Sequence, residues 1–180
     1  MDIRRVVTGH DAHGKAVVVD DVLVEPVTLD ALPGSEFHQL WGADAPPTFP
    51  DDGSRAKART YFPPVGGFRF GFFTVAPDAD AAAPADLDSM TAMVQSERRL
   101  PGLAKYFDPA APGMHTTPTI DYGVVISGQA VLELDDGAVV TLNAGDTYIQ
   151  NGTRHRWSNP GEVPAVIAVT FVGADHDRVD

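Results

Sequence analysis

Short runs of β-branched and aromatic residues, broken by glycine, proline and aspartate, recur along most of the chain and predict an all-β fold. In the first part they predict strands over residues 4–8, 16–19, 36–41, 57–62 and 68–75, with a polar turn at 10–14 closing the first pair. Residues 44–54 carry Pro46, Pro47 and Pro50 without periodicity and read as a loop. After an alanine- and proline-rich linker at 77–85 the period changes. Over 86–100, Leu87, Met90, Met93 and Val94 recur at helical spacing before Pro101-Gly102, predicting one amphipathic helix whose apolar face packs on a sheet. From His115 onward the β pattern returns, with strands predicted over 121–127, 129–135, 139–142, 147–150, 154–158 and 165–172. Asp136-Gly137 is a hairpin signal, because this pair accepts the positive φ of a tight turn. A chain of such hairpins closes most economically as a sandwich or barrel without open edges.

Composition narrows the possibilities. At 180 residues, 43% apolar and 21% charged, the chain suits one folded domain that buries a core without staples. It has no cysteine, which excludes disulfides, thiolate metal sites and cysteine nucleophiles. A net charge of −12 repels nucleic-acid phosphates and anionic lipid heads, so neither nucleic acid nor membrane is expected as a partner. No apolar run reaches the roughly 20 residues that cross a bilayer, and residues 1–5 are followed by no signal-peptide core. The expected compartment is the cytoplasm. Also missing are the nucleophile-elbow, phosphate-loop, His-Glu-x-x-His and dinucleotide motifs.

Histidine placement carries the candidate chemistry. His10, His13 and His176 stand in polar or acidic segments and read as solvated, whereas His38, His115 and His155 fall in or beside predicted strands. Along one straight strand His115 and Asp121 would stand about 20 Å apart, at roughly 3.3 Å per residue. Pro118 between them favours ending one strand and starting its neighbour, which lets the chain fold back and bring the two together. Thr117 shares the face of His115 by the two-residue period. His155 reaches His115 only across a barrel interior, and Trp157, two residues on, is expected to wall the same cavity. Tyr148 is expected in the core or the pocket, and His38 at the pocket mouth or as a strand cap. Arg154, Arg156 and Tyr122 alternate with these residues and are expected to point outward.

These residues resemble the two motifs of the cupin superfamily. The first appears as His115, Thr117, Asp121 and Gly128, and the second as Gly145, Gln150, Gly152, His155 and Asn159. The likeness is close over 113–159. It departs where the family's second histidine is Thr117, its glutamate is the shorter Asp121, and its proline is Gln150. The resemblance implies a cupin-like double-stranded β-helix, or jelly-roll barrel: one domain over 1–180, with an N-terminal β extension (1–76), a linker and helix (77–106) and a barrel core (107–174). It also implies homodimers that exchange strands of the extension.

Three readings of the site stay open. In the first, His115, Asp121 and His155 hold a divalent metal (iron, manganese, nickel or zinc) as a facial triad and act with it as an oxygenase, lyase or isomerase. In the second, the same residues are catalytic without any cofactor, as the acid and base of a dehydratase, isomerase or decarboxylase. In the third, the barrel binds a small molecule without catalysis. In each, the partner is a small-molecule substrate or ligand, and Thr117, Trp157, Tyr148 and His38 are the candidate binding residues.

Overall fold

The computed structural model describes residues 1–55 and 58–177. In chain order the strands are β1 (Arg4–His10), β2 (Ala16–Leu23), β3 (Phe37–Ala43) and β4 (Phe68–Val75). After helix α1 (Ser89–Arg99) come β5 (Thr119–Ser127), β6 (Gln129–Glu133), β7 (Val139–Asn143), β8 (Thr147–Asn151), β9 (Arg156–Ser158) and β10 (Ala165–Gly173). They form an antiparallel five-stranded sheet in the order β3-β4-β10-β5-β8, a three-stranded sheet β7-β6-β9, and a separate hairpin β1-β2. The two larger sheets pack face to face, because one core cluster joins Val125 of β5 and Ile167 of β10 to Ala130 and Leu132 of β6 and Leu142 of β7. A second cluster, with Leu29, Phe37, Tyr61, Phe62, Leu100, Leu103 and Phe171, closes one end of the barrel with loops and the end of α1.

Strand position explains each burial pattern. β10 lies between β4 and β5, and its first five residues are all buried, as a central strand covered on both faces requires. β5 alternates, sending Thr119, Asp121, Gly123 and Val125 inward and leaving Tyr122 half exposed. Between β6 and β7, Asp136 and Gly137 both take positive φ, as their hairpin signal requires. The first 76 residues are more than an appendage, since β3 and β4 are strands of the main sheet.

Two expectations from the pattern are overturned. The segment 57–62 forms no strand over its described residues, and Lys57 lies outside them; Tyr61 and Phe62 instead plug the barrel end as an aromatic loop. Helix α1 does form, capped by Asp88, which accepts from the Thr91 N–H at 2.9 Å, but its methionine face is not the buried one. Met90, Met93 and Val94 are exposed, while Ser96 and the following Leu100 are buried. Polar bonds choose this orientation: Gln95 exchanges hydrogen bonds with Asp30, and Arg99 donates to the Thr28 carbonyl.

Candidate active site

The polar groups of the sequence motifs meet inside the barrel. Residues 115–118 form no regular strand, and β5 begins directly after Pro118, so the chain turns there as the proline predicts. His115 bridges Phe107 on one side and His155 on the other through backbone pairs. The two imidazoles lie with centroids 4.1 Å apart, and the Phe107 ring stands 4.9 Å from His115. His115 Nδ1 is 3.0 Å from the Gly113 carbonyl and His155 Nδ1 is 2.8 Å from that of Thr153. A carbonyl only accepts, so each Nδ1 donates and each neutral ring keeps its lone pair on Nε2. Burial holds both imidazoles below the ordinary histidine range, and the neighbouring His115 helps bring His155 down to about 3.

Asp121 is the other working group. It projects inward from β5, and its Oδ1 accepts from Thr119 Oγ1 at 2.6 Å. Thr119 in turn stands 2.9 Å from Thr117 Oγ1, which therefore donates, giving a chain of hydroxyls that ends on the carboxyl. Burial pushes Asp121 up to about 7, so the neutral acid is well populated near neutrality.

Around these groups lies a cavity of about 180 Å³, lined by His115, Thr117, Asp121, Tyr148 and Trp157 together with Phe37, Tyr61, Phe62, Phe73, Phe107 and Phe171. His155 is 3% exposed and stands behind His115, with its ring 6.1 Å from that of Trp157. Tyr148 packs on Trp157 at 5.0 Å, and its phenol end crosses Gly123 of β5. A Cβ at Gly123 would sit 2.2 Å from that ring, so the glycine is what lets Tyr148 lie there. Arg154 points away from the cavity and bridges Asp108 and Asp135, while Arg156 pairs with Glu133. Asn159 is fully buried and ties its own turn to β4 through the Val75 and Val163 carbonyls. Gln150, where the family has proline, donates to Thr153 and braces the turn that leads to His155.

Two expectations about the site need correction. His38 does not reach this cavity: the alternation of β3 sends Phe37 into it and turns His38 to the other side. There His38 is 4% exposed, its Nδ1 has no partner among the described residues, and it borders a separate void of about 30 Å³, room for no more than a water. The metal triad is not assembled either. Among the described residues no three histidine, aspartate or glutamate side chains come together in a group able to hold a metal ion. The two imidazoles meet, but Asp121 is a methylene shorter than glutamate, is held by Thr119 and does not join them. With the carboxylate outside the pair, the two imidazoles alone do not complete a facial triad.

Residues 107–171 match the family model of the cupin domain. That segment belongs to the cupin superfamily. Curated relatives match shorter stretches. The oryzines biosynthesis cluster protein J of Aspergillus oryzae is 40% identical over 57 residues, 32% of each chain. The cupin-domain-containing oxidoreductase srdD of Neurospora crassa is 39% identical over 46 residues, 26% of this chain and 24% of that one. The chain thus spans a third or less of the length of these relatives. Among solved structures, a cupin 2 conserved barrel domain protein of Salinispora arenicola overlays 86% of this chain and 92% of its own, at 15% identity and a TM-score of 0.43.

The wall residues Tyr61, Phe62 and Phe107 were not foreseen, since nothing in an aromatic loop residue distinguishes cavity wall from ordinary core. Gly123, a lone glycine inside a strand pattern, is the kind of signal that marks a close approach.

Proposed function

We propose that this cupin is a small-molecule enzyme that moves protons within its barrel cavity, with His115 as general base and Asp121 as general acid. The observation that supports it best is the separation of the two roles around one cavity. His115 carries an Nε2 lone pair on a ring whose Nδ1–H is committed to a carbonyl, while Asp121, held by Thr119, keeps a well-populated neutral carboxyl near neutrality. Cupin relatives named as biosynthesis cluster proteins and oxidoreductases agree with an enzyme at this level of description.

The chemistry balances without a cofactor. Nε2 of His115 takes a proton from the carbon beside a substrate carbonyl, the C–H electrons move toward the carbonyl oxygen, and Asp121 gives that oxygen its proton, leaving an enol. When the carbonyl reforms, Asp121 recovers its proton. The proton on His115 then goes to a different carbon, an isomerisation, or to a departing β-hydroxyl, which leaves as water. His155 acts through His115: it packs on that ring and fixes its position. The hydroxyls of Thr119 and Thr117 hold Asp121 in place. Among the described residues the donor set gives no support to a step through a triad metal.

The test is hydrogen–deuterium exchange beside the carbonyl in a panel of small ketones, aliphatic and aromatic, neutral and anionic, followed by NMR. The protein is expected to speed exchange of at least one ketone, and His115→Gln to slow it about 100-fold or more. No acceleration of any ketone, or exchange unaffected by His115→Gln, overturns the reading in favour of a binding cupin. Exchange lost on chelation and restored by iron, manganese, nickel or zinc overturns it in favour of a metal enzyme.

We also propose a homodimer. Among the described residues the β1–β2 hairpin pairs with no other strand, and its register leaves Val6, Val18 and Leu23 exposed on one face. A lone two-stranded ribbon with an apolar face is marginal in water, and a second copy offers the same face and the same unpaired edges in return.

A further inference from the structure

Two buried phenols in the cavity have no role in the proton transfers above. Tyr148 lies across Gly123, two residues from Asp121 on the inward face of β5. Tyr61 packs on Phe171 with centroids 5.8 Å apart, and Phe171 is the register partner of Asp121 on β10. Asp121 is thus an ionisable neighbour of both phenols, and its charge bears on both hydroxyls. Both residues are more than nine-tenths buried and line the cavity, yet neither hydroxyl has a hydrogen-bond partner among the described residues. A buried phenol normally finds one. The two cavity threonines are already engaged: Thr74 donates to the Gly34 carbonyl and accepts from the Glu36 N–H, and Thr117 donates to Thr119.

We infer that Tyr61 and Tyr148 hold the substrate's oxygen beside Asp121, and that the substrate is a neutral carbonyl compound built on a single unsaturated ring. The inference rests on the acid–base reading and names its substrate class. A phenol beside a protonated carboxyl is an effective pair of donors for an enol or enolate oxygen, because both give protons without carrying charge themselves. Charge then limits the substrate. Among the described residues no lysine or arginine lines the cavity, so a phosphate or carboxylate buried there would meet Asp121 with no counter-ion from them. Shape limits it further. A dry cavity of about 150 Å³ accepts benzene, and this one, at about 180 Å³, has room for a ring with a short carbonyl-bearing arm. Its walls include the rings of Phe37, Phe62, Phe73, Phe107, Trp157 and Phe171. A sugar would leave several hydroxyls unpaired against those rings.

Calorimetry and NMR titration with acetophenone, benzoate and ethylbenzene test it on the whole protein. These probes share one ring and differ in carrying a carbonyl, a carboxylate or no oxygen. Acetophenone is expected to bind at least about tenfold more tightly than benzoate. Tyr61→Phe and Tyr148→Phe are each expected to weaken acetophenone about fivefold while leaving ethylbenzene binding and the melting temperature unchanged. Benzoate binding as tightly as acetophenone overturns the inference, as do phenylalanine variants that bind acetophenone normally. Because binding is read without turnover, the two proposals fail separately. Selective acetophenone binding with exchange indifferent to His115→Gln sinks the acid–base reading and keeps the substrate class, whereas His115-dependent exchange with unselective binding does the reverse.

Discussion

A single methylene changes what the site can do. Glutamate in place of Asp121 would reach further, whereas aspartate stops at Thr119 and is left buried, with its proton held up to about pH 7. Two consequences follow for pH. The proposed reaction needs Asp121 protonated and His115 neutral, so exchange is expected to fall as pH rises through about 7, where Asp121 ionises. It is expected to fall again only below the ordinary histidine range, since burial keeps His115 neutral to lower pH. Stability responds to Asp121 and His155 with opposite signs. Asp121 binds its proton more tightly folded than unfolded, so its contribution is fullest near pH 4 and is lost as pH rises to about 7. His155 is the reverse: its folded value lies near 3, so its contribution is present above about 6.5 and is lost as pH falls toward 3. The two slopes oppose each other over the same window. Asp121→Asn removes one of them, and the variant is expected to gain stability over the parent progressively from pH 4 to 8, by a few kcal/mol at the upper end, in thermal melts across that range.

At the scale of elements, the pairing of β5 with β8 sets the geometry of the cavity. Gly123 opposes Tyr148 in the register, and its missing side chain is the space that the phenol occupies. Gly123→Ala is expected to displace that ring and to cost about 1–3 kcal/mol, read by denaturant unfolding, with exchange reduced alongside. Most strands could be read from their alternation and punctuation, because inward and outward positions on a half-buried strand differ in polarity. The helix shows where that reasoning ends. Its apolar stripe was legible, but the burying side was chosen by Gln95 with Asp30 and Arg99 with Thr28, partners some 65 and 71 positions away in the chain. Spacing within the helix holds no information about them.

At the scale of the whole molecule, no helix among the described residues is long and apolar enough to cross a membrane, and the hairpin is a prominent exposed apolar feature of the N-terminal region. Sedimentation is expected to give the mass of two chains, and Val18→Asp together with Leu23→Asp to give that of one without loss of the barrel's circular dichroism. A single-chain mass for the parent protein would refute the dimer.

The linear order determined the hairpins, the turn at Pro118, the motif residues and the absence of any thiol or basic patch, because each depends on neighbours a few positions apart or on composition alone. Tertiary structure decided which of the motif residues work together. It set two imidazoles ring to ring, kept the carboxyl apart from them, turned His38 out of the cavity and brought Tyr61 into it from an irregular loop. Those outcomes depend on side-chain length and on which strands become neighbours, and both are settled only when the sheets close on one another.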